Sequence, residues 1–370
     1  MKKIAIVGAS GFIGLRLVEC LHLSGYAEII PVVRNYSSLA VLARLELDWK
    51  VCNHFDPNRL SRAFSGCDTV VHAAIGDSQQ IIKMASAIYQ GAQLAGVRRM
   101  IVLSSAAVYG QSIPEGIFEE SPFPKRQLGE YGNAKAKAEK ALRRLRLHGK
   151  VEIVFLRPSI VYGPRCRWVA QVADELLANA AYLVNGGSGI CNCVYVDNLI
   201  QAIERAIEIP EADKEAFFVT DKEKITWKEF YEPIVDALGF NMEAVLKISP
   251  PIFKHSFSEK IKKMIAAKPI QAAAHFLPGS FKKTIKAVIN SRIESVTANA
   301  WALPGKVNFR PSEEMCLLEQ STYKLPILKA EKILKYQPDV TFSEGMRRSI
   351  GWLSFAGYPI LDLNNKLKSK

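Results

Sequence analysis

Long apolar runs are missing from this 370-residue chain. None reaches the roughly 20 residues that a helix needs to cross a bilayer. The first β-like run begins at Lys3, which leaves no room for a secretory leader. Cysteines at zinc-type paired spacing are also absent. The seven that occur are odd in number and scattered, which predicts reduced thiols, a cytoplasmic setting and no metal site. Cys191-x-Cys193 reads as two small buried side chains. No nucleic-acid motif accompanies the net charge of +13, so the excess predicts no nucleic-acid partner. With 49% hydrophobic residues, the chain can bury a large core as one long domain or two.

Acidic residues are scarce in two places. Between Lys254 and Arg292 nine Lys or Arg face a single acid, Glu259. Phe257, Ile261, Met264 and Ile265 share one helical face there, as do Phe281, Ile285, Val288 and Ile289. The segment is expected to be a basic helical insertion, 254–292. It packs on the protein with a solvated basic face, or it offers a peripheral contact to anionic membrane or to a phosphate-bearing substrate. The second scarcity lies between Ile29 and Leu45, where no Asp or Glu occurs.

That second gap gains meaning from what precedes it. Lys3 to Val7 is a short apolar, partly β-branched run, as for a strand buried on both faces. Gly8-Ala9-Ser10-Gly11-Phe12-Ile13-Gly14 follows, and Leu15 to Leu21 reads as a helix. Strand, glycine turn and helix form the context of a dinucleotide-phosphate site: glycines let backbone N–H groups approach a pyrophosphate, and the helix N-terminus favours its charge. The next strand, Glu28 to Val33, ends in Arg34 rather than in the acidic residue that binds a ribose 2′-hydroxyl. A guanidinium suits a 2′-phosphate, so NADP is favoured over NAD.

Further runs at 69–74, 100–103 and 151–156 alternate with helical patterns at 81–95 and 131–147. This alternation predicts an α/β fold, a doubly wound Rossmann-type parallel sheet, with ligands at the carboxyl ends of the strands. Residues 1–164 would form the dinucleotide-binding domain, with 194–222 rejoining it. Residues 165–193 and 223–355 would form a smaller, mostly helical substrate lobe, and 356–370 a tail.

Tyr131-Gly-Asn-Ala-Lys135 lies 117 residues after the glycine turn. It sets a phenol and an ammonium one helical turn apart on the same face. A cation so placed can lower the phenol's pKa and turn it into a general base. A hydroxyl at the end of the 100–103 run, Ser105 or its neighbour Ser104, could hold a substrate oxygen against that phenol.

These motifs resemble the extended short-chain dehydrogenase/reductases, the NAD-dependent epimerase/dehydratase group. The matching stretches are GASGFIG at 8–14, VVHAA at 70–74, LSSAAVYG at 103–110, YGNAKAKAE at 131–139, LRPSIVYGP at 156–164 and VYVDNL at 194–199. They run in the family's order over roughly the first 200 residues, with a looser echo at KAEKILKYQP. The resemblance implies a catalytic set of Ser105, Tyr131 and Lys135. It also implies a cofactor site built from Gly8, Ser10, Gly11, Phe12, Ile13, Gly14, Arg34, Asn53, Ala73, Ala74, Tyr131, Lys135 and Pro158, and a homodimer.

Two departures narrow it. Ala106-Ala107 stand where dehydratases carry an acidic pair, and Ala107 where sugar epimerases often carry Thr. Asn53 stands where an acid usually meets adenine. The implied activity is oxidoreduction or epimerisation at a secondary hydroxyl or ketone, foremost of a nucleotide-linked sugar. The alternatives are a dehydrogenase of a hydrophobic, sterol-like or phenolic alcohol at a membrane surface, and a non-catalytic dinucleotide sensor. The intact Ser105, Tyr131 and Lys135 argue against the sensor, which needs no proton-transfer set.

Overall fold

The computed structural model describes residues 2–125, 127–251 and 311–361. The basic insertion expected at 254–292 lies outside them. Residues up to Ser249, with those from Glu314 onward, make one compact unit; Pro250–Glu313 make a second.

The apolar runs of the sequence become strands of one parallel sheet, which also takes in the two-residue strand Lys50–Val51. These are β1 (Lys3–Val7), β2 (Glu28–Val33), β3 (Lys50–Val51), β4 (Thr69–His72), β5 (Arg99–Leu103) and β6 (Glu152–Pro158). After the short strands β7 (Ile160–Tyr162), β8 (Tyr182–Val184), β9 (Ile190–Cys191) and β10 (Cys193–Tyr195), β11 (Ala216–Val219) completes it. The order is β11-β6-β5-β4-β1-β2-β3, the seven-stranded doubly wound arrangement, and it reverses direction between β1 and β4. Val7 pairs with Val32 on one side and with His72 on the other, which places the ends of these strands at one level.

Alternation along the strands sends side chains to two cores. Ile4, Ile6, Val71, Ile101 and Val154 share a core with α1 (Phe12–Leu23) and with α6 (Val196–Glu208). Ala5, Val7, Val70, Met100 and Ile153 meet α2 (Pro57–Ala63), α3 (Ile81–Leu94) and α4 (Glu130–His148). The remaining helices described are α5 (Arg167–Leu177), α7 (Trp227–Ala237), α8 (Glu313–Glu319) and α9 (Phe342–Phe355). The C-terminal region is largely helical, as expected, and holds two short strand pairs besides: β12 (Ile225–Thr226) with β9, and β13 (Leu246–Ile248) with β8. Among the described residues no helix is long and apolar enough to cross a membrane.

Two arginines are buried in the sheet, one at each edge. At the amino edge Arg99 donates to Glu152 Oε2 at 2.7 Å and to carbonyls ending α6, those of Ala206 at 2.8 Å and Ile209 at 2.6 Å. At the carboxyl edge Arg157 grips Glu139 of α4 through both carboxylate oxygens, at 2.7 and 3.0 Å. It also donates to Tyr109 Oη at 2.9 Å and to the Glu119 carbonyl at 2.8 Å.

Candidate active site

The chain leaves β1 at Gly8 with φ of +88°, a conformation that favours glycine. Gly11 then donates to the Gly8 carbonyl at 3.0 Å and becomes the N-cap of α1 without any side-chain cap. The first amides of α1 therefore have no side-chain acceptor and are available to an anion. A Cβ at Gly14 would lie 2.2 Å from the Gly8 oxygen, and one at Gly8 2.6 Å from the Ala74 backbone. The turn is held this tightly because no side chain intervenes.

Beside it lies a cavity of about 240 Å³. Of the residues expected to hold a dinucleotide, Gly8, Ser10, Gly11, Phe12, Ile13, Arg34, Ala73 and Ala74 line it. Gly14 supports the turn from below. Pro158 ends β6, in register with Val219, and does not line this cavity. Asn53 does not line it either: it is exposed, and its Oδ1 accepts from the Phe55 amide at 3.1 Å.

His54 and Phe55 line the cavity instead, and Ser38 joins Arg34. His54 is 2% exposed, and neither of its ring nitrogens has a hydrogen-bond partner. Burial, followed by the nearby Arg34 charge, lowers its pKa to about 4. Leaving a buried polar group unsatisfied costs about 1–3 kcal/mol. His72, at the end of β4, is buried as deeply with Nδ1 unpartnered; burial, then Lys135 and His54, lowers it to about 3.

At the end of β5 the two candidate serines separate. Ser104 is buried and donates to Glu139 Oε1, so its hydroxyl belongs to the Arg157 network. Ser105 turns the other way. It N-caps the short 3-10 turn Ala106–Tyr109, accepting from the Ala107 amide at 3.1 Å, and its hydroxyl lies near enough to the Tyr131 phenol to oppose the upward shift of that phenol's pKa. A Cβ at Gly132 would lie 2.2 Å from the Ala107 oxygen, so α4 sits directly on this turn. Lys135, one turn along α4, is buried; its Nζ donates to the Leu103 carbonyl at 2.7 Å and lies 5.7 Å from the centre of the Tyr131 ring.

Ser105, Tyr131 and Lys135 therefore meet at the carboxyl ends of the strands. The phenol nevertheless does not behave as the Tyr-Lys spacing suggests. Burial pushes Tyr131 up to about 12, opposed only by the Ser105 hydrogen bond. Burial likewise pushes Lys135 down to about 8, with Glu139 opposing. Desolvation disfavours both charged forms. Tyr131 is thus a protonated phenol at neutral pH, poised to give a proton.

The motifs missed Glu139 and His54. Glu139 lies one further turn along the YGNAKAKAE helix, where a charge among buried positions was the available signal. For His54 no sequence signal distinguished it from its neighbour Asn53. Among the described residues no group of three or more His, Cys, Asp or Glu side chains is gathered to hold a metal, and the seven cysteines are free.

Residues 4–219 match the NAD dependent epimerase/dehydratase family, and the chain belongs to that family of NAD-dependent epimerases, dehydratases and dehydrogenases. Among its relatives is a sterol-4-alpha-carboxylate 3-dehydrogenase (decarboxylating) of Dictyostelium discoideum, 24% identical over 247 residues, 62% of this chain and 75% of the relative. Another is the UDP-glucose 4-epimerase of Vibrio cholerae, 26% identical over 253 residues, 64% and 76% of the two chains. A solved dTDP-glucose 4,6-dehydratase of Streptomyces venezuelae, with NAD bound, shares the fold at a TM-score of 0.67 and 20% identity, over 95% of this chain and 97% of that one.

Proposed function

We propose that the protein interconverts a secondary alcohol and its ketone through Ser105, Tyr131 and Lys135, with a nicotinamide dinucleotide held beside the glycine turn. The observation that carries this is the convergence of Ser105, Tyr131 and buried Lys135 at the strand ends, with the Lys135 ammonium 5.7 Å from the centre of the Tyr131 ring. The close-packed Gly8–Gly14 turn, the uncapped start of α1 and the unpartnered His54 all suit a dinucleotide. When bound, its nicotinamide supplies or accepts hydride at the substrate carbon.

The protein's residues handle the oxygen. The Ser105 hydroxyl and the Tyr131 phenol hold it between them. In reduction the protonated phenol donates to the forming alkoxide; in oxidation the phenolate takes the hydroxyl proton. Lys135 fixes the approach of α4 through Leu103, and its ammonium favours the phenolate when that form is needed. Arg34, with Ser38, favours a 2′-phosphate, hence NADP.

A nucleotide-linked sugar is the substrate class we favour, supported by the epimerase relative at 26% identity. The sterol dehydrogenase relative, at 24% over a similar length, supports a hydrophobic alcohol as the second reading. Incubation with UDP-glucose and, separately, with a 3-hydroxysteroid separates them when nicotinamide absorbance and product are followed together. A sugar converted without net absorbance change indicates epimerisation, and a steroid converted with stoichiometric absorbance change indicates dehydrogenation. Turnover of neither class overturns the substrate assignment.

A further inference from the structure

We propose that the stretch from α8 to Leu325 is fastened to β8 and β9 by a proton-operated latch, in which the Glu319 carboxyl holds while protonated and lets go when it ionises. Its seat is closely built. A Cβ at Gly189 would collide with the Glu319 carbonyl, so only glycine lets the two chains meet there. The Ile190 amide donates to the Ser321 carbonyl at 2.6 Å. The Asn192 side chain donates to the Tyr323 carbonyl and accepts from the Leu325 amide, each at 2.9 Å. Into this seat α8 sends the Glu319 side chain, 1% exposed, whose Oε2 accepts from the Val184 amide of β8 at 2.7 Å. Its Oε1 has no partner, and neither has the Ser321 hydroxyl.

A carboxylate so enclosed needs a cation to offset its lost hydration. The titratable groups around it are Glu175 of α5, Tyr231 of α7, Tyr182 of β8, Cys191 of β9 and Cys316 of its own helix, and none of these is a cation. Lys324, five residues on, donates instead to the Asp221 carbonyl at 2.6 Å. Burial pushes the Glu319 carboxyl up to about 7, against its hydrogen bond from Val184 and with the Glu175 charge adding to the rise. In a solvated, undocked segment the same group titrates at about 4.3. Docking is therefore strongest below that value, weakens about tenfold per pH unit up to about pH 7, and levels off above it. The far end of the helix gives the latch its consequence. A Glu314 carboxylate oxygen lies 3.4 Å from where a Cβ at Gly129 would be, and Gly129 is the N-cap of α4, two residues before Tyr131. Release of α8 withdraws that carboxylate from the start of the helix bearing Tyr131.

Hydrogen exchange of the full chain between about pH 5 and 8, without substrate, tests the latch, and its outcome does not depend on the catalytic reading. Each rate is taken relative to the intrinsic rate at the same pH. In the unaltered protein, protection of the Val184 and Ile190 amides should fall about tenfold per unit from about pH 5 to 7 and then hold steady, since both donate to the latched segment. Glu319→Gln keeps the shape and an acceptor for Val184 but cannot ionise, so its protection should be independent of pH. Glu175→Gln removes the neighbouring charge and should end the fall at a lower pH. The amides of β1, in the central sheet, should show no such fall. Flat protection in the unaltered protein, the same slope in Glu319→Gln, or a fall shared by β1 would each overturn the proposal.

Discussion

The two edges of the sheet treat a buried arginine in opposite ways. At the amino edge Arg99 is neutralised by Glu152 and spends its remaining donors on the last carbonyls of α6. It completes a helix end, a local role for a cation at a C-terminus. At the carboxyl edge Arg157 ties α4, through Glu139, to the Tyr109 turn and the Glu119 carbonyl. Glu139 also takes the Ser104 hydroxyl, next to Ser105, and lies one turn from Lys135. One arginine finishes a helix end, whereas the other ties α4 to the turn beside the proposed Ser105–Tyr131 pair. The carboxyl edge also carries the buried bases His54, His72 and Lys135, each with its pKa lowered first by burial.

The contrast breaks if chemistry survives at the carboxyl edge without its phenol. Tyr131→Phe should reduce turnover by about 10³-fold, the scale of positioned acid–base catalysis, with dinucleotide affinity near that of the unaltered protein. Equal loss of turnover and binding would deny Tyr131 its assigned part.

Next in size is the arginine pair itself. Arg157→Met should cost about 3–5 kcal/mol of stability, because Glu139 is left charged and buried. It should also lower activity per folded molecule. Arg99→Met should cost less, about 1–3 kcal/mol, since Glu152 keeps Arg98 at 2.9 Å and is partly exposed. Its activity per folded molecule should be unchanged. Urea midpoints combined with specific activity check both, and equal activity losses would erase the distinction between the edges.

Acid sharpens the comparison further. The folded-state pKa of His72 is depressed to about 3 and that of His54 to about 4. Their neutral forms therefore contribute stability that is complete above the unfolded value of about 6.5 and is lost as pH falls through the folded values. His72→Leu should flatten the stability–pH curve by about 1.4 kcal/mol per pH unit between roughly pH 6 and 4. An unaltered slope would place the acid sensitivity elsewhere. The smallest effect is expected at Arg34: Arg34→Asp should move the NADP-to-NAD preference about tenfold toward NAD. An unchanged ratio of dissociation constants would refute the 2′-phosphate contact.

Much of the fold was readable because strands buried on both faces announce themselves as apolar runs, from Lys3–Val7 to Ala216–Val219. β3 escaped notice, since two residues carry no periodicity. β12 and β13, inside the largely helical C-terminal region, went unread for the same reason. Within the site, backbone-driven features were legible: the glycine turn, Ala73-Ala74, and the helix bearing Tyr131 and Lys135. Side-chain commitments were not. Whether Ser104 or Ser105 faces the phenol depends on Glu139, which meets Ser104 only after α4 packs on β5. Spacing placed Asn53 but did not reveal that its side chain turns back onto the Phe55 amide, outside the cavity lining. The sign of the Tyr131 shift was equally hidden, because burial outweighs a cation that spacing alone brings near.

The seat of Gly132 on the Ala107 carbonyl bears on any effort to broaden what this protein accepts. A mutagenesis library that randomises the catalytic motif position by position would waste its members at residue 132, where even a methyl group would pry the tyrosine away from its serine. Gln127, which donates to the Val108 carbonyl at 3.0 Å, closes the other side of that position, so a longer residue at 132 would meet it as well.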